Sequence, residues 1–174
     1  MSRRLCRVAT PLGDALLALD GETLLALDWD EHRERMQRLW ERRFGDDLPA
    51  EGDAIGVAVN AVHAYFAGDA SALDGLDVDP GGTEFQAAVW TALRGIPAGR
   101  TTTYGALAES LQRPDAVRAV GAANGANPVS LVLPCHRVVG ADGELVGYAG
   151  GLERKRWLLR HEGVAVPEQA SLFG

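Results

Sequence analysis

A thiol stands directly before an imidazole in Pro134-Cys135-His136-Arg137-Val138. A thiol attacks carbon well only as thiolate, and an unperturbed cysteine, with a pKa of about 8.5, is barely ionised at neutral pH. An acceptor for its proton is required, and His136 is the nearest base. Adjacent residues on a strand point to opposite faces, so contact between these two side chains requires a turn or a bridging water. Glu162, near the end of a downstream helical pattern, can hold the imidazole in one tautomer and stabilise its charged form, as the third member of a triad does. A carboxylate at a helix C-terminus is electrostatically unfavourable, which argues for a specific partner. By itself a Cys-His pair is weak, because free cysteine often serves as a small buried hydrophobe.

The apolar run Leu131-Val132-Leu133 predicts a strand that delivers Cys135 at its end. Far upstream, Leu5 to Ala9, Ala15 to Leu19 and Leu24 to Trp29 read as a strand meander, separated by the turn signals Pro11-Leu12-Gly13 and Asp20-Gly21. Helical spacing predicts a helix over Glu31 to Phe44 stopped by Gly45, and a second from Asp53 as N-cap to Phe66. Asp74 to Gly82 carries Asp, Gly and Pro without period and reads as a linker. The expected division is therefore an α/β lobe over residues 1–80, a second lobe over 83–163 and a tail over 164–174.

In the second lobe, Thr83 and Gln86 form a capping box ahead of the apolar stripe Phe85, Val89, Trp90 and Leu93. Thr103 is placed to cap a short helix over Tyr104 to Leu111, and Pro114 to open another over Asp115 to Gly125. Two short helices joined by a tight turn make a helix-turn-helix candidate. Its second helix is lined by Ala116, Ala119, Gly121, Ala122, Ala123 and Gly125, which permits close backbone approach to a packed neighbour or to a nucleic-acid groove. Val138-Val139 and Glu144-Leu145-Val146 flank Gly140 to Gly143 as a hairpin, and a last helix covers Leu152 to His161 with Gly163 as its stop.

With 174 residues and 47% hydrophobic content the chain can bury a core, as one unit or two small lobes. No apolar run approaches a membrane span, and Met1-Ser2-Arg3-Arg4 precedes a polar, alternating segment rather than a signal-peptide core, so a soluble, cytoplasmic protein is expected. Cys6 and Cys135 are too far apart for a local metal motif and are expected to be reduced. The net charge of −7 is unevenly spread, with 8 basic and 16 acidic residues up to Pro80 but 9 basic and 7 acidic from Gly81 to Glu162. A neutral-to-basic face on the second half remains compatible with DNA, with steep salt sensitivity.

Arg118-Ala119-Val120-Gly121, Asn127-Pro128-Val129, the Cys135 pentapeptide and Gly147-Tyr148 through His161-Glu162 together resemble the O6-alkylguanine-DNA alkyltransferases over about half the chain. The resemblance implies an α+β fold: a three-stranded, ribonuclease H-like N-terminal lobe with helices, then a mainly helical lobe carrying the helix-turn-helix and a short wing. It implies a monomeric, single-turnover methylated-DNA–[protein]-cysteine S-methyltransferase without cofactor or metal. Its partner is double-stranded DNA carrying O6-alkylguanine, or O4-alkylthymine, flipped out of the stack. Under it Cys135, a water, His136 and Glu162 form a proton relay and Tyr104 assists the leaving guanine. Arg118 enters the stack, with Ala119, Gly121 and Arg137 as further DNA contacts. Val138, Tyr148, Ala149 and Lys155 line the pocket, and Asn127 is a hinge. Ser130 departs from members with a second proline there, and the first half lacks the Cys/His set of zinc-holding relatives. A Cys-His hydrolase and a non-reactive, lesion-binding relative are the alternatives; the first lacks an oxyanion-hole signature, and the presence of Cys135 opposes the second. Gln169-Ala170-Ser171-Leu172-Phe173 is similar to peptides that dock on a polymerase sliding clamp.

Overall fold

The computed structural model describes residues 2–166, so the tail peptide Gln169–Phe173 lies outside the described residues. Strands β1 (Arg3–Val8), β2 (Ala15–Asp20) and β3 (Thr23–Trp29) form an antiparallel meander in that order. The register sets Leu5 opposite Ala18 and Leu17 opposite Leu27. β2 is apolar on both faces because both are covered. Ala15, Leu17 and Leu19 enter a core shared with the second half of the chain, whereas Leu16 and Ala18 meet Met36 and Trp40 on the other side.

Met36 and Trp40 belong to α1 (Arg33–Phe44), which follows a 3-10 turn over Asp30–His32 and ends at Gly45 in the left-handed region, φ 77°. The next helix, α2 (Val57–Phe66), starts later than Asp53 predicts. Its first turn is capped from a distance: the Val57 N–H donates to Glu22 Oε2 at 2.9 Å, from the β2–β3 turn. A tertiary carboxylate thus replaces the local cap and leaves Asp53 outside the helix.

Residues 77–79 lie along the open edge of β3, where the Leu24 N–H donates to Asp77 O at 2.8 Å and the Asp79 N–H to Leu24 O at 2.9 Å. Farther along that edge, Leu27 pairs with the segment that leads to the thiol, through Leu27 N–H to Pro128 O and Ser130 N–H to Leu27 O, both 3.0 Å. The edge is covered rather than left as a pairing hazard.

α3 (Glu84–Arg94) opens with the expected capping box, both hydrogen bonds present. After β4 (Thr102–Thr103), the Thr103 hydroxyl caps α4 (Tyr104–Ser110). α5 (Val117–Gly125) begins beyond the expected start, since Arg113 to Ala116 form a turn. β5 (Val138–Val139) pairs in parallel with β4. The excursion after it closes as a turn, Gly140 N–H to Glu144 O at 2.9 Å, but residues 144–146 form no strand. α6 (Leu152–His161) is followed by Gly163 at φ 91°. One hydrophobic cluster runs from Cys6 through Trp90 and Cys135 to Leu158. No helix of the described residues is long and apolar enough to cross a membrane.

Candidate active site

Leu131-Val132-Leu133 is not a strand. The Val132 N–H donates to Ser130 O at 2.9 Å across Leu131, whose φ is 74°, and the Cys135 N–H donates to Leu133 O at 2.7 Å across Pro134, at φ −79° and ψ 66°. These are two three-residue turns, the second with the geometry of an inverse γ-turn. The left-handed Leu131 costs about 1–2 kcal/mol, and burial of its side chain offsets that by about 1.5–3 kcal/mol. Asn127 holds the segment from inside: its Nδ2 donates to Leu133 O at 2.7 Å and its Oδ1 accepts from the Val129 N–H at 2.8 Å. The end of α5 is thereby bonded to the residue just before Pro134.

Cys135 opens a 3-10 turn, Cys135–Arg137, and the turn turns His136 toward α6. His136 Nε2 lies 2.8 Å from Glu162 Oε2. Arg137 grips the same carboxylate twice, Nε to Oε1 at 2.8 Å and Nη2 to Oε2 at 2.9 Å, and the Tyr65 hydroxyl donates to Oε2 at 2.6 Å. Burial alone raises the Glu162 pKa, but the hydrogen bonds from His136, Arg137 and Tyr65 outweigh it and bring it down to about 2. An ionised carboxylate can only accept, so His136 carries its proton on Nε2 and a lone pair on Nδ1. Nδ1 is buried and has no hydrogen-bond partner among the described residues. Burial holds the imidazole below the ordinary histidine pKa, against the pull of Glu162. The Cys135 thiol is 3% exposed, and burial pushes its pKa up while Asn127, Arg35 and Lys155 oppose the rise. The resting pair is a protonated thiol beside a neutral base.

Arg137, expected as a DNA contact, faces the protein interior. Its Nε and Nη2 are committed to Glu162, and its Nη1 donates to Ile96 O at 2.6 Å. Lys155, the one lysine of the chain, is fully buried on α6 and donates to Val146 O at 2.8 Å and Gly147 O at 3.1 Å. Burial lowers its pKa to about 8, with Cys135 pulling the other way. The Tyr104 hydroxyl donates to the same Val146 carbonyl at 3.2 Å, and burial keeps this phenol protonated. Tyr148 stands edge-on to His136 with ring centres 6.5 Å apart, Val138 is buried and Ala149 half-buried.

Arg118 and Ala119 are exposed on α5. A Cβ added at Gly125 meets nothing within 4 Å, and one at Gly121 meets only Tyr104 Cδ1 at 3.9 Å. Packing therefore demands neither glycine.

Sequence reasoning missed three supporting residues. Tyr65 reaches Glu162 across 97 residues of chain. Arg35 Nη1 donates to the buried Asp28 at 2.8 Å, while its Nη2 donates to Gly125 O at 2.7 Å and Asn127 O at 3.0 Å, a cation on the negative end of α5. Burial raises the Asp28 pKa and Arg35 opposes the rise. A tyrosine within the apolar face of α2 was the one local sign of any of them. Cys6 and Cys135 are free thiols, and the described residues contain no His/Cys/Asp/Glu group able to hold a metal.

Residues 84–164 match the family described as 6-O-methylguanine DNA methyltransferase, DNA binding domain, and residues 7–80 match its ribonuclease-like domain. The chain is 48% identical over 161 residues to a methylated-DNA–protein-cysteine methyltransferase of Salmonella typhimurium, covering 90% of this chain and 94% of that one. It is 41% identical over 166 residues to the Mycobacterium tuberculosis protein of that name, covering 95% and 96%. Among solved structures, the M. tuberculosis O6-methylguanine methyltransferase aligns with a TM-score of 0.73 at 37% identity, over 99% of this chain and 100% of that one. The M. tuberculosis protein in complex with DNA aligns at 0.77 and 39%, over 98% and 99%. The matches along both halves of the chain, around a buried thiol next to a histidine oriented by a carboxylate, make this chain a member of the 6-O-methylguanine DNA methyltransferase family.

Proposed function

We propose that the protein repairs DNA by moving the alkyl group of O6-alkylguanine, and of O4-alkylthymine, onto Cys135, once per molecule. The observation that carries this reading is the tautomer of His136, fixed by an acceptor-only Glu162 so that a free lone pair sits on the residue next to the thiol. Nδ1 takes the thiol proton through one water, and Glu162 stabilises the imidazolium. The thiolate attacks the alkyl carbon, the S–C bond forms as the C–O6 bond breaks, and the electron pair stays on the purine. Tyr104, held as a protonated phenol, supplies a proton at guanine N3. The base must leave the stack at a cost of a few kcal/mol, and the exposed Arg118 fills the gap. Ala119 and Gly121 let α5 approach the groove, while Val138, Tyr148, Ala149 and Lys155 wall the pocket and Asn127 ties it to α5. Arg137 positions Glu162.

In this reading residues 83–163 bind DNA and carry the reaction as a monomer in the cytoplasm, and residues 1–80 brace them. The tail, Gln169 to Phe173, tethers the protein to a sliding clamp; a fluorescent peptide of these residues should bind purified clamp, and Leu172→Ala with Phe173→Ala should remove that binding. The reaction is tested by mass spectrometry after mixing with an O6-methylguanine duplex. The peptide containing Cys135 should gain one methylene, in one equivalent, with Cys6 unmodified and Cys135→Ser inert. Repeated turnover, or label on Cys6 alone, refutes it.

A further inference from the structure

α5 carries a single basic residue, Arg118. The surface beside it is different. Five of the eight basic residues before Pro80 fall within α1, in a segment that is otherwise acidic. Three of the five are occupied. Arg35 serves Asp28 and the end of α5, Arg43 pairs with Asp79 at 3.1 Å, and Arg33 lies 3.9 Å from Asp30. Arg38 and Arg42 are exposed, and among the described residues neither makes a hydrogen bond or ion pair. With Arg35 they fall at i, i+3 and i+7, one stripe along the helix. Glu34 and Glu41 line a second groove with Arg38, where Glu41 accepts from Gln37 at 2.7 Å, and neither carboxylate pairs with Arg38.

The stripe faces the end of α5. Arg35, Arg38 and Arg42 form one wall of an open groove of about 360 Å³, and Ala122, Gly125 and Ala126 form the other. Ala122 and Gly125 continue the exposed face that begins with Arg118 and Ala119, one turn of helix apart. A duplex seated on that face carries a phosphate charge about every 1.7 Å along its axis, so a phosphate run must pass the C-terminal end of α5. Two unpaired guanidiniums wait there, and Arg is the side chain whose fork fits phosphate.

We infer that Arg38 and Arg42 of α1 hold the DNA backbone beside α5, so that the N-terminal lobe is part of the DNA-binding surface. This rests on the proposed function only in taking α5 as the helix that meets DNA. It explains why an acidic half of the chain keeps two arginines free on the flank nearest that helix.

The test is the salt dependence of binding to an unmodified duplex, read by fluorescence anisotropy. Each phosphate contact contributes about 0.9 to the slope of log K against log salt, so Arg38→Ala/Arg42→Ala should flatten the slope by up to about 1.8 and weaken binding by up to roughly 60-fold at ~0.1 M salt. Arg38→Lys/Arg42→Lys should restore most of the slope, and alkyl transfer from a free O6-alkylguanine base should be unchanged in both. Equal slopes for the wild type and the double alanine variant overturn the inference, as does a loss of transfer from the free base equal to that from duplex. Failure of the wild type to alkylate Cys135 refutes the proposed reaction instead, and the slope comparison still decides the role of the arginines.

Discussion

Tyr65→Phe removes one hydroxyl and tests whether the N-terminal lobe sets up the nucleophile. Glu162 accepts four hydrogen bonds, from Tyr65, His136 and twice from Arg137, and its side chain is fully shielded from solvent. Tyr65 makes the shortest of them, 2.6 Å, to the oxygen that also holds His136. A hydrogen bond to a charged group is worth about 1.5–3 kcal/mol, and the phenylalanine ring fills the same space, so the cost should approach that figure with little cavity contribution. For a chain of this size that is a fall of roughly 2–4 °C in Tm per kcal/mol. Losing a donor also lets the Glu162 pKa rise toward its ordinary 4.5, so the loss of stability in acid should still begin near 4.5 but be smaller and end at higher pH than in the wild type. Arg137 remains, so the carboxylate stays ionised at neutral pH and keeps the His136 tautomer. Alkyl transfer should therefore slow by less than about tenfold while Glu162→Gln slows it far more. Urea unfolding of both single variants and the double variant gives the coupling, expected between about 0.5 and 3 kcal/mol. A Tyr65→Phe protein within about 0.5 kcal/mol of the wild type, or one showing no coupling to Glu162, would refute the reasoning.

Three other outcomes follow from the geometry. Arg35→Ala strands the buried Asp28 and uncaps α5, so it should cost about 3–5 kcal/mol in urea unfolding, and Asp28→Asn in the same chain should recover part of it. The Glu162 carboxyl falls from an ordinary 4.5 to about 2 in the folded chain, so its contribution is complete above 4.5 and is lost as pH falls toward 2; His136, kept neutral by burial, adds to the loss below its ordinary 6.5, and Glu162→Gln should flatten that acid limb. Arg118→Ala should slow transfer from duplex far more than from a free O6-alkylguanine base, measured as two single-turnover rates, and equal losses would exclude a role in base extrusion.

Much of the fold was legible because its signals are local. The strand meander, the Thr83–Gln86 capping box, the Thr103 cap and Gly45 and Gly163 as helix stops each depend on residues within a few positions. The failures share the opposite property. The α2 start is set by Glu22, 35 residues away, and the apolar run before Cys135 is bent because Asn127 and the β3 edge capture it. The burial of Arg137 has no local mark in the sequence, because its partner is 25 residues on. Cys135, His136 and Glu162 were nameable from sequence, but what makes them work, the tautomer and the grip on the carboxylate, comes from contacts that no spacing records.

The Glu162 cluster has a consequence for biosynthesis. Its members are Tyr65, His136, Arg137 and Glu162 itself, so the chain leaves the ribosome with the thiol made 27 residues before the carboxylate that completes its base. Until α6 docks, His136 has no fixed tautomer and Cys135 has no better claim to reactivity than Cys6. Domains form as they emerge, N-terminal portions first, and here the brace laid down early, Tyr65, waits for the carboxylate that follows the last helix. The thiol is thus armed late, when the scaffold that aims it already exists.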